Sequence, residues 1–361
     1  GYATLQALTS GGYNTAVGYE SGNDMTTGNN NTLLGWQTGT KIVEGHSNVA
    51  VGANALDSVT SGLYNIAIGR GAGGALTTQD EMVFIGYQAG TAVNNDNSDG
   101  MVAIGYQAGQ AATQNQQYSV FVGKQSGQNV TTGTHNTFLG YYTGALLGHA
   151  DADNNVFIGA TAGASGDYTA ANNTSNNNVG IGKSAMGGGT ADTVFEADNN
   201  VAIGYESLKS ILSGGSNVAV GSNAGDTMTD TAHCVLVGLN AGTAINHVNS
   251  NYTVAIGSGA GQGINETGAG APNTIVGGNA GQALTTGSSN ALLGYQAGYS
   301  LTTRSSCVFI GYDAGYTLDG ANNNVAIGRD AMKSSGTAAN NNATNNVAVG
   351  NSALTAITTA S

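Results

Sequence analysis

One short phrase recurs along the whole chain and constrains its fold more than any other feature. "NTAVGYESG", "SNVAVGANAL" and "NNVAIGYESL" begin at Asn14, Ser47 and Asn199. We call the glycine that closes each "N-x-x-x-G" phrase the marker glycine, and we number other positions relative to it. In its shortest form the interval between marker glycines is 17 residues, as from Gly18 to Gly35, and longer intervals contain only insertions. A fixed period of this length predicts a protein built from stacked repeats.

The residues around each marker glycine predict a short β-strand. Position −1 is always a branched aliphatic residue, position −3 is almost always Val, Ile or Thr, and position −4 is most often Asn. β-Branched residues favour strands, and the abundant glycine disfavours a helical solenoid. We expect an all-β fold, a parallel β-solenoid of about 19–20 coils of 17 residues with loop insertions, as one continuous repeat domain over residues 1–361.

Composition excludes several other classes of protein. Glycine accounts for 59 of 361 residues, but a single proline and the absence of a three-residue period exclude collagen. The net charge of −13 offers no basic stripe for nucleic acid. No stretch approaches the ~18 apolar residues of a membrane span, so we expect no membrane insertion.

Asparagine at position −4 is expected to stack on itself from coil to coil and to form a ladder of side-chain hydrogen bonds. Cys234, Cys307, Met82 and Met101 occupy the same position and are expected to be buried substitutes for Asn. The two cysteines are four repeats apart, too far for a disulfide. The predicted ladder consists of Asn14, Asn31, Asn48, Asn65, Asn136, Asn155, Asn178, Asn200, Asn217, Asn273, Asn290, Asn324 and Asn346.

Position −2 is apolar throughout, although it must lie on the opposite face of the strand from positions −1 and −3. Because a strand that is apolar on both faces is buried on both faces, we expect position −2 to form an inter-chain face in a homotrimer, intertwined or packed side by side. The alternative is a wide single-chain solenoid whose two sheets use both faces. The proposed inter-chain residues are Leu33, Phe84, Phe121, Phe138, Phe157, Leu236, Ile275, Leu292 and Phe309.

Aromatic residues recur at position +1, where a ladder of rings could bind sugars or could pack against the strand edge. Both interpretations remain open. The candidate glycan-facing residues are Tyr19, Trp36, Tyr87, Tyr106, Tyr295 and Tyr312. The insertions between repeats are further candidates for recognition loops.

No cofactor, metal or catalytic site is expected. The five histidines share no position with an acid and a nucleophile, and "GSGAGQG" at Gly257–Gly263 belongs to the repeat itself. Asn94–Gly100 and Asp151–Asn155 contain oxygen ligands at alternate positions, but they lack the complete pattern of a calcium loop.

The phrase "NNVAIGxxA" resembles the head repeats of trimeric autotransporter adhesins, whose units are close to "SVAIGxxA". It also resembles the "NTAIGYQAL…TTGNNNTAVG" arrays of bacteriophage tail-fibre proteins, and this second resemblance is closer because the tyrosine and the "TTG" turn are both present. The match covers Gly1 to Leu354.

The resemblance implies a left-handed β-roll, a homotrimer and an extracellular location on a virion tail fibre or a cell-surface appendage. It implies a non-enzymatic fibre that serves as a rigid spacer and display rod, and the chain is expected to be a segment of a longer fibre. The alternative is an adhesin head that binds a host-surface glycan or a protein receptor directly.

Overall fold

The computed structural model describes residues 1–95, 98–113, 116–145, 152–164, 175–188, 196–246, 250–265, 272–318, 322–334 and 344–355. Within these ranges the fold is all-β, with nineteen parallel strands of three residues each and no helix. One strand falls in each repeat, immediately before its marker glycine. The predicted parallel β-solenoid is confirmed.

The chain divides into two compact units. The first comprises Gly1–Asn178 with Thr190–Phe195, and the second comprises Val179–Gly189 with Glu196–Ser361. The strands of the first unit are β1 Thr15–Val17, β2 Thr32–Leu34, β3 Val49–Val51, β4 Ile66–Ile68, β5 Val83–Ile85, β6 Val102–Ile104, β7 Val120–Val122, β8 Thr137–Leu139 and β9 Val156–Ile158. Those of the second unit are β10 Val179–Ile181, β11 Val201–Ile203, β12 Val218–Val220, β13 Val235–Val237, β14 Val254–Ile256, β15 Thr274–Val276, β16 Ala291–Leu293, β17 Val308–Ile310, β18 Val325–Ile327 and β19 Val347–Val349.

Within each unit, equivalent residues of successive repeats lie beside one another. In the first unit Val51 pairs with Ile68, and Ile68 pairs with Ile85. In the second unit Ile203 pairs with Val220. Ile256 pairs with Val276 and Ile327 pairs with Val349 across longer repeats, so the insertions there do not shift the register of the strands.

The marker glycines allow the coils to stack closely at the end of each strand. Gly86 has a φ of 137°, a conformation that side-chain-bearing residues rarely adopt. A Cβ atom on Gly86 would lie 2.3 Å from the carbonyl oxygen of Gly105 in the next coil. Gly294 repeats this geometry in the second unit, where its Cβ would lie 2.3 Å from the Gly311 carbonyl oxygen. Backbone therefore packs directly on backbone in this column.

The residues at position −2 form the core of the coil, which contradicts the prediction that they face a partner chain. All nine proposed inter-chain residues are 0–1% exposed within one chain: Leu33, Phe84, Phe121, Phe138, Phe157, Leu236, Ile275, Leu292 and Phe309. Phe138 stacks on Phe121 and Phe157 with ring centroids 5.1 and 5.5 Å apart. Position −2 is apolar because it fills the coil interior, so these side chains are not available to another chain.

The sizes of the residues at positions −2 and +4 are complementary, which is consistent with both positions facing the coil interior. Each of the nine large residues at position −2 has glycine at position +4 of the same repeat, and a Cβ on Gly144 would lie 2.4 Å from the Phe138 ring. Where position −2 is small, position +4 can be large, as with Ala50 and Leu56. Both positions lie in the interior, and Leu56 is fully buried. No repeat combines large residues at both positions, as close packing of a narrow interior requires.

The asparagines at position −4 tie each coil to its neighbours. The Asn31 N–H donates to Asn14 Oδ1 at 2.9 Å, and Asn31 Nδ2 donates to the same oxygen at 3.2 Å. Asn31 Nδ2 also donates to the Gly45 carbonyl at 2.8 Å. Asn48 repeats all three bonds with Asn31 Oδ1 and the Gly62 carbonyl as the acceptors. These side chains satisfy buried backbone groups at the corner that precedes each strand.

Residues that replace asparagine preserve part of this pattern. The Met82 N–H donates to Asn65 Oδ1 at 3.0 Å, and the Cys234 N–H donates to Asn217 Oδ1 at 2.9 Å. Cys234 Sγ also donates to the Ser250 carbonyl at 3.4 Å, in place of the amide nitrogen. The donor in both bonds is a backbone N–H, which Met or Cys supplies as well as Asn does. The acceptor is the side-chain oxygen of an asparagine in the preceding coil.

The size match predicts that two destabilising substitutions compensate for each other. Leu236→Ala leaves a cavity and should cost about 2–5 kcal/mol, and Gly242→Leu alone overpacks the same interior. The double variant recreates the pairing of Ala202 with Leu208, two coils away, and should be more stable than either single variant. Urea denaturation of the three variants measures this, and additive losses in the double variant would contradict the assignment.

The asparagine ladder predicts a local loss of protection from exchange. Asn48→Ala removes the acceptor of the Asn65 N–H bond, which is 3.0 Å long, and the donor to the Gly62 carbonyl. Each buried unsatisfied group costs about 1–3 kcal/mol, so exchange at the Asn65 amide should accelerate. Asn23→Ala is the control, because its amide bonds only to the adjacent Asp24 at the surface. Equal protection at Asn65 in both variants would contradict this role.

Candidate binding surface: the outer sheet face and the aromatic column

Positions −1 and −3 point outward and form a flat apolar surface on each unit. We call this surface the outer sheet face. In all nineteen strands these positions hold only Val, Ile, Leu, Thr or Ala, without a charged side chain. Leu34 and Leu139 are each 46% exposed, and Ile68 is 39% exposed. The alternation of the strand therefore places the constant aliphatic residues outside and the variable ones inside.

The outer sheet face is a continuous apolar surface within each unit. In the first unit alone, nine strands each contribute two outward side chains. Soluble monomers seldom expose contiguous apolar patches of more than a few hundred Å². In the second unit, Val276, Leu293 and Ile310 line a shallow groove on the same face with Thr274 and Ala291. Faces of this kind are typical of interaction surfaces.

A second exposed surface runs along position +1, which we call the aromatic column. Tyr19 stacks on Trp36 with ring centroids 6.5 Å apart, and Tyr87 stacks on Tyr106 at 5.2 Å. In the second unit Tyr295 stacks on Tyr312 at 5.2 Å. All six aromatic residues predicted to face glycans are between 37% and 50% exposed. Within a stack the rings cover each other's faces, so the edges and hydroxyl groups face the solvent.

Basic residues alternate with the aromatic rings in the same column. Four of the eight Lys and Arg residues of the chain are at position +1: Arg70, Lys124, Lys183 and Arg329. Lys124 Nζ lies 5.7 Å from the Tyr106 ring centroid and 5.8 Å from that of Tyr141. Arg329 lies 5.5 Å from the Tyr312 ring centroid. These cation–π contacts stabilise the column, and they gather positive charge on an otherwise acidic protein.

Polar residues at position +2 line one side of the aromatic column. Gln37 Nε2 donates to Glu20 Oε2 at 2.7 Å, and Gln107 Nε2 donates to Gln88 Oε1 at 3.1 Å. A carboxyl group recurs at position +5 in one coil of each unit. Burial raises the pKa of the Asp57 carboxyl in the first unit and of the Asp226 carboxyl in the second. Aromatic, amide and acidic groups therefore lie side by side along the coils.

The two cysteines lie in the interior, as their position in the repeat predicts. Cys234 and Cys307 are buried and carry free thiols. Among the described residues, no three His, Cys, Asp or Glu side chains are grouped so that they could hold a metal ion. Within the same residues, no helix has the length and apolar character needed to cross a membrane.

Several segments that the sequence offers as recognition or calcium sites lie partly outside the described residues. The calcium-like stretches Asn94–Gly100 and Asp151–Asn155 are each described only in part. The four insertions are 164–177, 187–199, 243–251 and 333–345, and only their ends are described. Their role as recognition loops stays a prediction.

Sequence comparisons add no relative. No protein-family model matches the chain, and no curated protein is significantly similar to it.

The buried cysteines predict slow modification of the folded protein. Burial raises the pKa of the Cys307 thiol, so less of the reactive thiolate is present at neutral pH. Neither cysteine should react with a thiol reagent such as DTNB in the native protein, and both should react in urea. Rapid labelling of one or two thiols without denaturant would contradict the burial of this position.

Proposed function

We propose that this chain is a non-enzymatic structural segment of an attachment fibre, serving as a rigid spacer and display rod. The observation that carries the proposal is the outer sheet face, which remains flat, apolar and in register through each unit. A helical or loop-rich surface would not match its coil-to-coil spacing of ~4.8 Å. A second copy of the same chain has both the same period and the same apolar surface.

The outer sheet face is large enough for self-association. A few tens of Å² from each outward side chain give several hundred Å² per unit, the order of the ~800 Å² that each partner buries in a standard interface. The absence of charge on the outward positions removes the cost of burying ions at such an interface. We propose three chains around an axis, since the resemblance to tail-fibre and adhesin repeats implies a homotrimer.

The location and role follow from the same resemblance. Fibres of this kind lie outside the cell, on a virion tail or a cell-surface appendage, and they hold an attachment site away from the surface that carries them. A solenoid suits this role because successive coils within each unit are joined by backbone hydrogen bonds and, in most repeats, by asparagine hydrogen bonds as well. Neither exposed surface supplies the paired acid and base groups of an enzyme.

A second candidate function is direct adhesion, in which the rod itself binds a host-surface glycan or protein. The exposed aromatic column, with its adjacent amides and carboxylates, favours this candidate. Binding assays on a glycan array with the isolated chain distinguish the two functions, since a spacer shows no saturable binding.

The assembly can be tested without disturbing the coil interior. Ile68→Lys with Leu139→Lys places charges on the outer sheet face, where neither side chain supports the core. This double variant should sediment as a folded monomer, whereas the unmodified chain sediments as a trimer. Phe121→Asp is the matched control, because it charges the interior and should unfold the coil. A monomeric unmodified chain would overturn the assembly, and so would a double variant that stays trimeric.

A further inference from the structure

The aromatic column of the first unit is interrupted at one place where several distinctive features meet. Trp36 is the single tryptophan of the chain, and it is 50% exposed. One face of its indole ring stacks on Tyr19 of the preceding coil. In the following coil the same column holds Ala53, and the Asn54 N–H donates to the Trp36 carbonyl at 3.0 Å across this step. The second face of the indole therefore opens above a methyl group.

The next side chain in the column widens this opening. Arg70 follows Ala53, and its guanidinium carbon lies 6.0 Å from the Tyr87 ring centroid in the coil beyond. The arginine is thus turned away from Ala53. Trp36 and Arg70 are separated by two coil steps, about 9.6 Å along the sheet. A slot of this width holds one sugar ring, with the indole as one wall and Ala53 as the floor.

A polar groove lies on the same coils. Its volume is about 340 Å³, at the small end of the range for ligand pockets, and it is lined by Asn54, Asp57, Gly71, Gly74 and Thr91 among others. The groove exists because glycine occupies both position +2 and position +5 of one coil. Neighbouring coils have Gln88 and Thr91 at these two positions, and those side chains would fill the space.

The polar groups of this groove suit hydroxyl ligands. Asn54 Nδ2 lies 3.4 Å from Asp57 Oδ2, so an amide and a carboxylate stand side by side. Asp57 Oδ1 lies over Gly74, 3.5 Å from the position that a Cβ would occupy. A carboxylate that accepts and an amide that both donates and accepts can bond two adjacent hydroxyl groups. Ala53, the floor of the slot, immediately precedes Asn54 in the chain, so the slot and the groove adjoin in one coil. Together they offer the apolar wall and the polar groups that match the C–H face and the hydroxyl edge of a pyranose.

We propose that Trp36, Ala53, Asn54, Asp57 and Gly71 form a subsite for one pyranose unit of an oligosaccharide. The indole packs against the C–H face of the sugar, and Asn54 and Asp57 bond its hydroxyl groups. The subsite refines the second candidate function by assigning it to one place, and it does not depend on the trimer. Where two rings of the column stack, as Tyr87 does on Tyr106, their facing surfaces are covered.

Trp36 itself reports the binding, because no other tryptophan contributes to the fluorescence. Cellotetraose, mannotetraose and chitotetraose are titrated separately into the full chain. At least one of them should change the emission saturably, with half-saturation near or below ~1 mM. A linear or absent response to all three up to ~10 mM would overturn the proposal.

Two variants fill the subsite without removing the indole. Ala53→Leu occupies the slot, and Leu239 shows that this column accepts leucine with about half of its surface exposed. Gly71→Gln restores the side chain present in the next coil, where Gln88 has a similar φ of 52° against 66° for Gly71. Each should weaken binding of the responding tetrasaccharide about tenfold or more. Unchanged binding in both would overturn the assignment.

Ala160→Leu is the matched control, because it makes the same substitution in the same column far from Trp36. It should bind as the unmodified chain does, and an equal loss in this control would show that binding does not occur at Trp36. Sedimentation of Ala53→Leu separates this inference from the proposed assembly, since the variant should lose the sugar and keep the trimer.

Discussion

The contact of backbone on backbone at the marker glycines is the constraint on which the rest of the structure depends. A Cβ atom at Gly18 would lie 1.9 Å from the carbonyl oxygen of Gly35, so no other residue allows the coils to approach so closely. Once these glycines stack, the strand before them and the turn after them must stack as well. The asparagines then bond from coil to coil because the spacing has already been set.

The same spacing decides what the coil can contain. Three-residue strands enclose little volume, and no repeat has large side chains at both position −2 and position +4. The large side chain comes from one position or the other, as in Phe84 with Gly90 and Ala202 with Leu208, or from neither, as in Ala219 with Gly225. A core filled in this way tolerates exchange of the large residue between the two positions.

The repeated surfaces of this molecule and its proposed sugar-binding subsite lie at different places and have different origins. The repeated positions build two surfaces that extend along each unit, the outer sheet face and the aromatic column, and these suit association with an equally periodic partner. Specific recognition of a small ligand needs an irregular place. Such a place occurs where Ala53 replaces an aromatic residue and where Gly71 and Gly74 remove the neighbouring side chains.

The repeat period, the strand in each repeat, the parallel register and the stacking of the asparagines could all be predicted from the sequence. Period 2 along a strand also requires that position −2 lie opposite positions −1 and −3. The sequence did not show which of these two faces lies in the interior. Both faces are apolar, so hydrophobicity does not distinguish them. The glycine at position +4 of every repeat with Phe, Leu or Ile at position −2 was the available signal. Its meaning depends on a turn that brings residues six apart into contact. Only the tertiary structure shows that contact, and so only the tertiary structure places Phe138 inside the coil and Leu139 on its surface.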